Sequence, residues 1–122
     1  MTTVQYAVGD ADERPWGRWE VVAVGPGHVV KRITVKPGQI LSLQLHHHRG
    51  EHWVITQGTA RVTLGGDLLV RGVDEAVYIP VETPHRIENV GDGDLQFIEV
   101  QTGAHLDEND IVRLEDKYGR QG

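Results

Sequence analysis

The sequence predicts a single all-β domain, a barrel or sandwich, from two observations. Its 122 residues fall within the usual size of one domain. Apolar residues alternate with polar ones over short runs, and turn residues recur between these runs at the spacing expected of barrels and sandwiches. About nine strands are expected on this pattern, at residues 19–24, 28–35, 40–45, 53–56, 59–64, 68–71, 75–79, 86–89 and 95–101.

Glycine and proline mark the ends of these runs. Glycine supplies backbone angles that other residues avoid, and proline cannot donate to a strand ladder, so both interrupt strands. The clearest hairpin signal is Gly65-Gly66-Asp67, between runs 59–64 and 68–71. The remaining signals, in order, are Gly25-Pro26-Gly27, Pro37-Gly38, Gly58, Pro80 and Gly91-Asp92-Gly93.

The C-terminal tail has a different pattern, which predicts a short helix. Asp107 or Asn109 could cap this helix, which would run through Leu114 and stop near Gly119. We therefore expect one domain with an N-terminal arm, a barrel and a tail: residues 1–18, 19–102 and 103–122.

Composition and charge exclude several classes of protein. The net charge of −6 argues against binding to the phosphate backbone of a nucleic acid. No apolar run approaches the roughly 20 residues of a membrane helix, and no secretory signal is visible at the N-terminus. The chain has no cysteine, which excludes disulfides and thiolate metal ligands and is compatible with the cytoplasm, the location we expect.

Four of the seven histidines lie between residues 46 and 52, and their arrangement predicts a metal site. Alternate side chains share one face of a strand, so Gln44 and His46 should point the same way as Ser42. A polar face inside a barrel is costly unless something satisfies it. Imidazole nitrogens and amide oxygens can do so by binding a divalent ion, and the nearby Glu51 adds a carboxylate. His85 follows a loop bounded by two prolines, which restrict its direction.

The spacing of these residues resembles the two motifs of the cupin family. Gly38, Gln44, His46, Glu51 and Gly58 are separated by five, one, four and six residues, as in the first motif, although cupins usually have His at the position of Gln44. The second motif resembles Pro80, Glu82, His85 and Asn89, with Glu82 and Asp74 at positions where cupins have glycine. The resemblance implies a double-stranded β-helix, a jelly-roll-like barrel, whose metal ligands are Gln44, His46, Glu51 and His85.

A narrower resemblance extends over nearly the whole chain. The chain is similar to the C-terminal isomerase domain of type II mannose-6-phosphate isomerases, which is often fused behind a mannose-1-phosphate guanylyltransferase domain. No glycine-rich phosphate loop precedes a helix, so we do not expect guanylyltransferase activity. The segments that carry the likeness are Arg14 to Gly17, Lys31 to Gly38, Leu41 to Gln44, His46 to Trp53, Ile79 to Arg86, Asp110 to Arg113 and Tyr118 to Arg120.

The resemblance implies a metal-dependent isomerase that interconverts mannose 6-phosphate and fructose 6-phosphate. Zinc is the metal expected, although nitrogen and oxygen donors also suit manganese, iron, cobalt and nickel. The reaction needs a group that moves a proton, with a pKa near the working pH. His48, predicted on the same strand face as the ligands, is the first candidate, and His52 and Lys31 follow.

The phosphate group of the substrate requires fixed cations, and three arginines are candidates. Arg86 follows the ligand His85, while Arg32 and Arg49 lie within the motif segments. The alternative functions are a non-catalytic metal-binding cupin that holds a phosphorylated sugar or sugar nucleotide, and a metal-dependent dioxygenase.

A homodimer is also expected. The leucines at 41, 43 and 45 should form an apolar face opposite the ligands, which a second subunit could cover.

Overall fold

The computed structural model describes residues 2–119, and these form an all-β fold, as predicted. Met1 of the predicted arm and residues 120–122 of the predicted tail, including Arg120, lie outside the described residues. Within 2–119 no helix is long and apolar enough to cross a membrane. The strands are β1 (Thr3–Val4), β2 (Ala11–Arg14), β3 (Gly17–Gly25), β4 (His28–Val35), β5 (Leu43–Leu45), β6 (Gly50–Gln57), β7 (Ala60–Leu64), β8 (Asp67–Arg71), β9 (Ala76–Ile79), β10 (His85–Asn89), β11 (Leu95–Thr102), β12 (His105–Leu106) and β13 (Val112–Glu115).

Two antiparallel sheets form the body of the domain. The larger has the order β2-β3-β4-β11-β6-β9 and the smaller the order β13-β5-β10-β7-β8, while β1 pairs with β12 in a separate parallel ladder. Both β1 and β2, with the start of β3, belong to the residues assigned to the arm. Each sheet also pairs strands that are distant in sequence, as in β11 beside both β4 and β6. This crossing pattern is that of a jelly-roll-like barrel.

The inner faces of the two sheets share one hydrophobic core. Burial alternates along the strands, so that Leu95 and Phe97 on β11 are fully buried while their neighbours are not. Val62 and Ile87 of the smaller sheet are equally buried and belong to the same core. Polar side chains continue this inner face towards one end of the barrel, among them Lys31, Glu51, Glu99 and Gln101. The candidate site lies at this polar end.

The tail is a strand and not the predicted helix. The strand β13 pairs with β5, and Val112 lies opposite Leu45. A helix of fewer than about 12 residues is marginal without tertiary support, whereas β5 offers an edge to which the tail can hydrogen-bond. Asp107 does accept a main-chain N–H, but from Asn109, two residues on, as in a local Asx turn and not a helix cap.

The predicted leucine face is not an open apolar patch. Leu41 is 8% exposed and belongs to the core, while Leu43 and Leu45 are half-buried. The strand β5 begins only at Leu43, so the alternation assumed from residue 40 does not extend back to Leu41. Leu41 instead lines the same pocket as Ser42 and Gln44.

Two turns have left-handed backbone at residues other than glycine. Asp74 has a φ of 74° and Glu82 a φ of 61°. These are the two positions at which the sequence departs from the glycines of the cupin motifs. Left-handed backbone costs an L-residue about 1–2 kcal/mol. The departures therefore strain the turns and leave the candidate ligands unchanged.

Asn89 connects the two sheets through its amide. Its Nδ2 donates to the main-chain carbonyls of Val35 (2.9 Å) and Gly93 (2.8 Å), and its Oδ1 accepts from the N–H of Gly91 (2.9 Å). The side chain is 2% exposed. Because unpaired buried polar groups are costly, this amide holds the end of β4 and the following turn against β10.

Candidate metal centre and adjoining pocket

Three of the four predicted ligands meet at one point inside the barrel. His46 follows the end of β5, Glu51 lies on β6, and His85 begins β10. Their donor atoms all lie within 4.8 Å of one another, and the three side chains are buried. Nε2 of His46 is 3.2 Å from Oε2 of Glu51, and Nε2 of His85 is 3.8 Å from Oε1. Donors bound about 2.1 Å from one ion at tetrahedral or octahedral angles are about 3.0–3.4 Å apart. The His46–Glu51 pair has this spacing, and the His85–Glu51 pair, at 3.8 Å, would have to close by a few tenths of an ångström around an ion.

Hydrogen bonds on the far side of each imidazole ring fix its tautomer. Nδ1 of His46 is 2.6 Å from the main-chain oxygen of Asp110, and Nδ1 of His85 is 2.8 Å from that of Thr83. A carbonyl oxygen can only accept, so both Nδ1 atoms carry the proton. In the neutral rings each Nε2 therefore keeps its lone pair, and that of His46 accepts from Nη2 of Arg49 (3.3 Å). Nε2 of His85 is buried without a hydrogen-bond partner, which is a costly state for a ring nitrogen unless it binds an ion.

The protonation states of this cluster also suit a cation. Burial lowers the pKa of His46 to about 4 and lowers the pKa of His85 as well. Burial alone would raise the pKa of Glu51, but the positive charge of the adjacent Arg49 guanidinium holds it well below its usual range. At neutral pH the cluster consists of two neutral imidazoles and one carboxylate, the forms that bind divalent metals.

The fourth predicted ligand, Gln44, lies beside this cluster. It pairs in register with His85 across β5 and β10, and directly opposed residues project to the same side of a sheet. Its Oε1 accepts a hydrogen bond of 2.8 Å from the hydroxyl of Ser42. A role for Gln44 as a ligand remains a prediction that this register supports.

A buried polar network fixes the orientation of Glu51. Arg49 donates from Nε to its Oε2 (2.8 Å), and the indole of Trp53 donates to its Oε1 (3.0 Å). The same indole donates to Glu99 (3.1 Å), which also accepts from Gln101 (2.9 Å). Burial, reinforced by the charge of Glu51, raises the pKa of Glu99 to about 8. The network thus joins the ionised carboxylate of Glu51 to the carboxyl group of Glu99, which holds its proton much more strongly.

A pocket adjoins the cluster and is rich in charged groups. Arg49 and Gln44 belong both to its wall and to the surroundings of the cluster. Its free space of about 50 Å³ holds a few water molecules. Four cationic side chains face two carboxylates among its lining residues, which are Arg14, Trp16, Trp19, Lys31, Ile33, Leu41, Ser42, Gln44, Arg49, Glu99, Glu108, Ile111 and Arg113.

Of the three residues predicted to transfer the proton, Lys31 lies in this pocket, whereas His48 and His52 are exposed and outside its lining. The ring of His48 packs edge-on against His105, beside a separate surface groove. His52 alternates with the buried Glu51 on β6, so it faces outwards, where its ring packs on Tyr78.

The three arginines predicted to bind phosphate occupy different environments. Arg49 is buried in the pocket wall and paired with Glu51. Arg86 and Arg32 lie outside the pocket lining: Arg86 pairs with Glu115 (3.2 Å), and Arg32 with Glu20 (2.9 Å).

Three pocket residues were missed by sequence reasoning: Arg14, Glu99 and Glu108. For Glu99 a signal existed, because it shares the alternating inward face of β11 with Leu95 and Phe97. A carboxyl group on an otherwise apolar inner face indicates a functional role. Arg14 and Glu108 lie on segments whose position depends on tertiary structure.

The fold and the donor cluster together define a cupin barrel with a candidate metal centre. Solved cupins share the fold, although at low sequence identity. A variant of Bacillus subtilis oxalate decarboxylase superposes with a TM-score of 0.75 at 23% identity, covering 86% of this chain and 30% of that one. The Schizosaccharomyces pombe Cnp3 cupin domain gives a TM-score of 0.68 at 15% identity, covering 70% of this chain and 64% of that one.

Sequence comparison identifies the family within the cupins. Residues 4–116 match the family described as mannose-6-phosphate isomerase C-terminal, and the chain belongs to this family. It is 52% identical to the Salmonella typhimurium mannose-1-phosphate guanylyltransferase ManC over 107 residues, 88% of this chain and 22% of that protein. It is 50% identical to the Pseudomonas aeruginosa alginate biosynthesis protein AlgA, again over 107 residues, 88% of this chain and 22% of that protein. The chain thus spans about a fifth of the length of these curated relatives.

Proposed function

We propose that the chain is a metal-dependent aldose–ketose isomerase that interconverts mannose 6-phosphate and fructose 6-phosphate. The observation that carries this proposal is the buried cluster of His46, Glu51 and His85 beside a pocket rich in cations. Membership of the mannose-6-phosphate isomerase C-terminal family supports the substrate. The cluster supplies donors for a metal and the pocket supplies charges that suit a sugar phosphate.

The reaction moves one proton between neighbouring carbons. A base takes the proton from C2 of the open-chain aldose, the C2–H electrons form a C1–C2 double bond, and the electrons of the C1=O1 double bond move onto O1 to give an enediolate. The proton of the O2 hydroxyl passes to O1, the electrons of the O2–H bond form the C2=O2 ketone, and the C1–C2 double-bond electrons take the carbon-bound proton back from the base at C1. A divalent ion held by Gln44, His46, Glu51 and His85 would act as a Lewis acid on the sugar oxygens where negative charge develops.

We assign the carbon-bound proton to Glu99, because its pKa of about 8 leaves a minority of molecules ionised at neutral pH and makes that carboxylate a strong base. Its carboxyl group lines the pocket, and hydrogen bonds from Trp53 and Gln101 fix its position. Lys31 faces the same pocket, but its ammonium is 2.7 Å from the Glu108 carboxylate. A paired ammonium has no free lone pair with which to accept a proton. Replacement of Glu99 by Gln should lower kcat about 100-fold or more, within the usual contribution of acid–base catalysis, with metal content unchanged.

Zinc is the metal we propose, with a cytoplasmic location and a homodimer as the assembled form. Support for the dimer now comes from the edge strand β8, where Leu68 is 65% exposed and Val70 is 60% exposed. A sheet edge with apolar side chains is prone to pair with a second chain. Sedimentation at micromolar concentration tests this, and a monomer would contradict it.

The function is tested by elemental analysis and a coupled assay for fructose 6-phosphate. The wild type is compared with His46→Ala and with His47→Ala, a matched control because His47 is the exposed neighbour of the buried ligand. We expect about one metal per chain and turnover in the wild type and the control. In His46→Ala the metal should be lost and kcat/KM should fall at least about 100-fold.

Other outcomes would contradict parts of the proposal. A wild type without metal, or a His46→Ala variant that isomerises as fast as the wild type, excludes the metal-dependent mechanism. Tight binding of mannose 6-phosphate without turnover indicates a non-catalytic sugar-binding cupin. Oxygen consumption that requires iron indicates a dioxygenase.

A further inference from the structure

Glu108 places its carboxylate among the cationic groups of the pocket. Its Oε2 is 2.7 Å from Nζ of Lys31 and accepts a hydrogen bond of 2.7 Å from the hydroxyl of Tyr6. Its Oε1 is 3.5 Å from a guanidinium nitrogen of Arg14. Three donors from three separate strands or segments therefore converge on one anionic group.

The two partners of the central ion pair differ strongly in exposure. The Lys31 side chain is 4% exposed and the Glu108 side chain 38%. The ammonium of Lys31 also lies 4.1 Å from the ring centroid of Trp19. A buried ammonium needs an anionic partner, because an uncompensated charge is costly in the interior. Glu108 can turn towards water and be rehydrated, whereas Lys31 is fixed in place.

Glu108 lines a pocket with little free space. With Glu108 in position this space is about 50 Å³, enough for a few water molecules. The carboxylate and a phosphate would also compete for the same donors, because both accept charge-assisted hydrogen bonds from ammonium and guanidinium groups.

We propose that Lys31, Arg14 and Tyr6 form the subsite for the phosphate group of the substrate and that Glu108 is its built-in competitor. A phosphate dianion displaces the Glu108 carboxylate, which turns to solvent, and takes its three donors. The exchange replaces one negative partner of Lys31 with another. This assignment rests on the proposed function in that it presumes a phosphorylated substrate.

Competition of this kind lowers the apparent affinity for phosphate. The free subsite exists only in the fraction of molecules whose carboxylate has turned away, and the measured Kd rises accordingly. Removing the charge of Glu108 should therefore tighten phosphate binding, although it removes a side chain of the pocket wall. A residue with only a structural role would weaken binding or leave it unchanged when replaced.

The test is calorimetric titration of inorganic phosphate into the full chain and four variants. Glu108→Gln should lower the Kd about tenfold, and Lys31→Met and Arg14→Gln should each raise it about tenfold, the equivalent of one charged hydrogen bond. Glu115→Gln is the matched control, because its carboxylate pairs with Arg86 outside the pocket, and its Kd should stay within about twofold. Circular dichroism melting establishes that each variant is folded, and Arg14→Gln provides the test if Lys31→Met does not fold.

An unchanged or higher Kd in Glu108→Gln overturns the competition, and so does an absence of phosphate binding in both wild type and Glu108→Gln. Undiminished binding in a folded Lys31→Met or Arg14→Gln overturns the subsite. Because the titration requires no turnover, its result is separate from that of the isomerase assay. Phosphate binding as expected without isomerisation rejects only the proposed function, and isomerisation with unaltered phosphate binding rejects only this subsite.

Discussion

The buried imidazole of His46 should make the metal-free protein sensitive to mild acid. Its side chain is 2% exposed, and burial lowers its pKa from 6.5 to about 4. In the unfolded chain the same ring takes up a proton as the pH falls below about 6.5. Between these two values the unfolded state binds more protons than the folded state. The contribution of His46 to the free energy of unfolding is therefore highest above pH 6.5 and falls as the pH approaches 4.

The size of the effect follows from the two pKa values. A difference of about 2.5 pKa units corresponds to about 3 kcal/mol over the whole range. Between pH 7 and pH 5 the loss is about 2 kcal/mol. Glu99 acts in the opposite direction, because its pKa is raised to about 8 and its folded form gains stability as the pH falls. The contribution of His46 must therefore be measured as a difference between two proteins.

The comparison protein is His46→Asn, whose amide can still donate to the carbonyl of Asp110 but does not titrate. Urea unfolding of both metal-free proteins is measured at pH 7 and pH 5. The wild type should lose about 2 kcal/mol more than the variant over this interval. Equal losses in the two proteins would show that His46 is not held neutral by burial. The tautomer assignment and the readiness of the cluster for a metal would then lack support.

Three further predictions concern stability. Asn89→Ala should lower the free energy of unfolding, measured in urea, by about 2–4 kcal/mol, because one buried and two partly buried main-chain groups lose their partner. Asn109→Ala, at an exposed side chain, should change it by less than about 1 kcal/mol, and similar values for the two variants would refute the bridging role. Glu82→Gly should raise the free energy of unfolding by about 0.5–1 kcal/mol, because it relieves left-handed backbone. Asp92→Gly, at a position without such backbone, should lower it, and equal shifts of the two variants in thermal melts would exclude strain at Glu82. Zinc at 1,000 times its Kd should stabilise the wild type by about 4 kcal/mol, and His85→Asn should show little of this gain in the same melts.

Much of the fold could be predicted because its signals are local. Alternation with a period of two and turn residues at strand ends identify strands wherever one face is buried, and β4, β7, β8 and β11 lie within a residue or two of the expected runs. The helix predicted for the tail was wrong for a related reason. Its helix signals were local too, but an edge of β5, brought near by the barrel, offered the tail hydrogen bonds that a short isolated helix lacks.

The pocket was much less predictable than the cluster. Glu108 and Arg14 meet Lys31 only because the segment after β12 and the strand β2 come together at one end of the barrel. His48 was expected beside the ligands on strand alternation, yet β5 ends at Leu45, and the chain beyond it does not keep that alternation. The side of the sheet to which a side chain points can be inferred from alternation only as far as the strand continues.

By itself the sequence determined the family, the all-β class and the residues that could hold a metal, because donor type and spacing are properties of the chain. Tertiary structure alone decided which charges share the pocket with them. Lys31 is far in sequence from Glu99 and Glu108, and the interactions of these residues depend on distances of a few ångströms and on exclusion of water. Those quantities arise only when the two sheets close around a common interior.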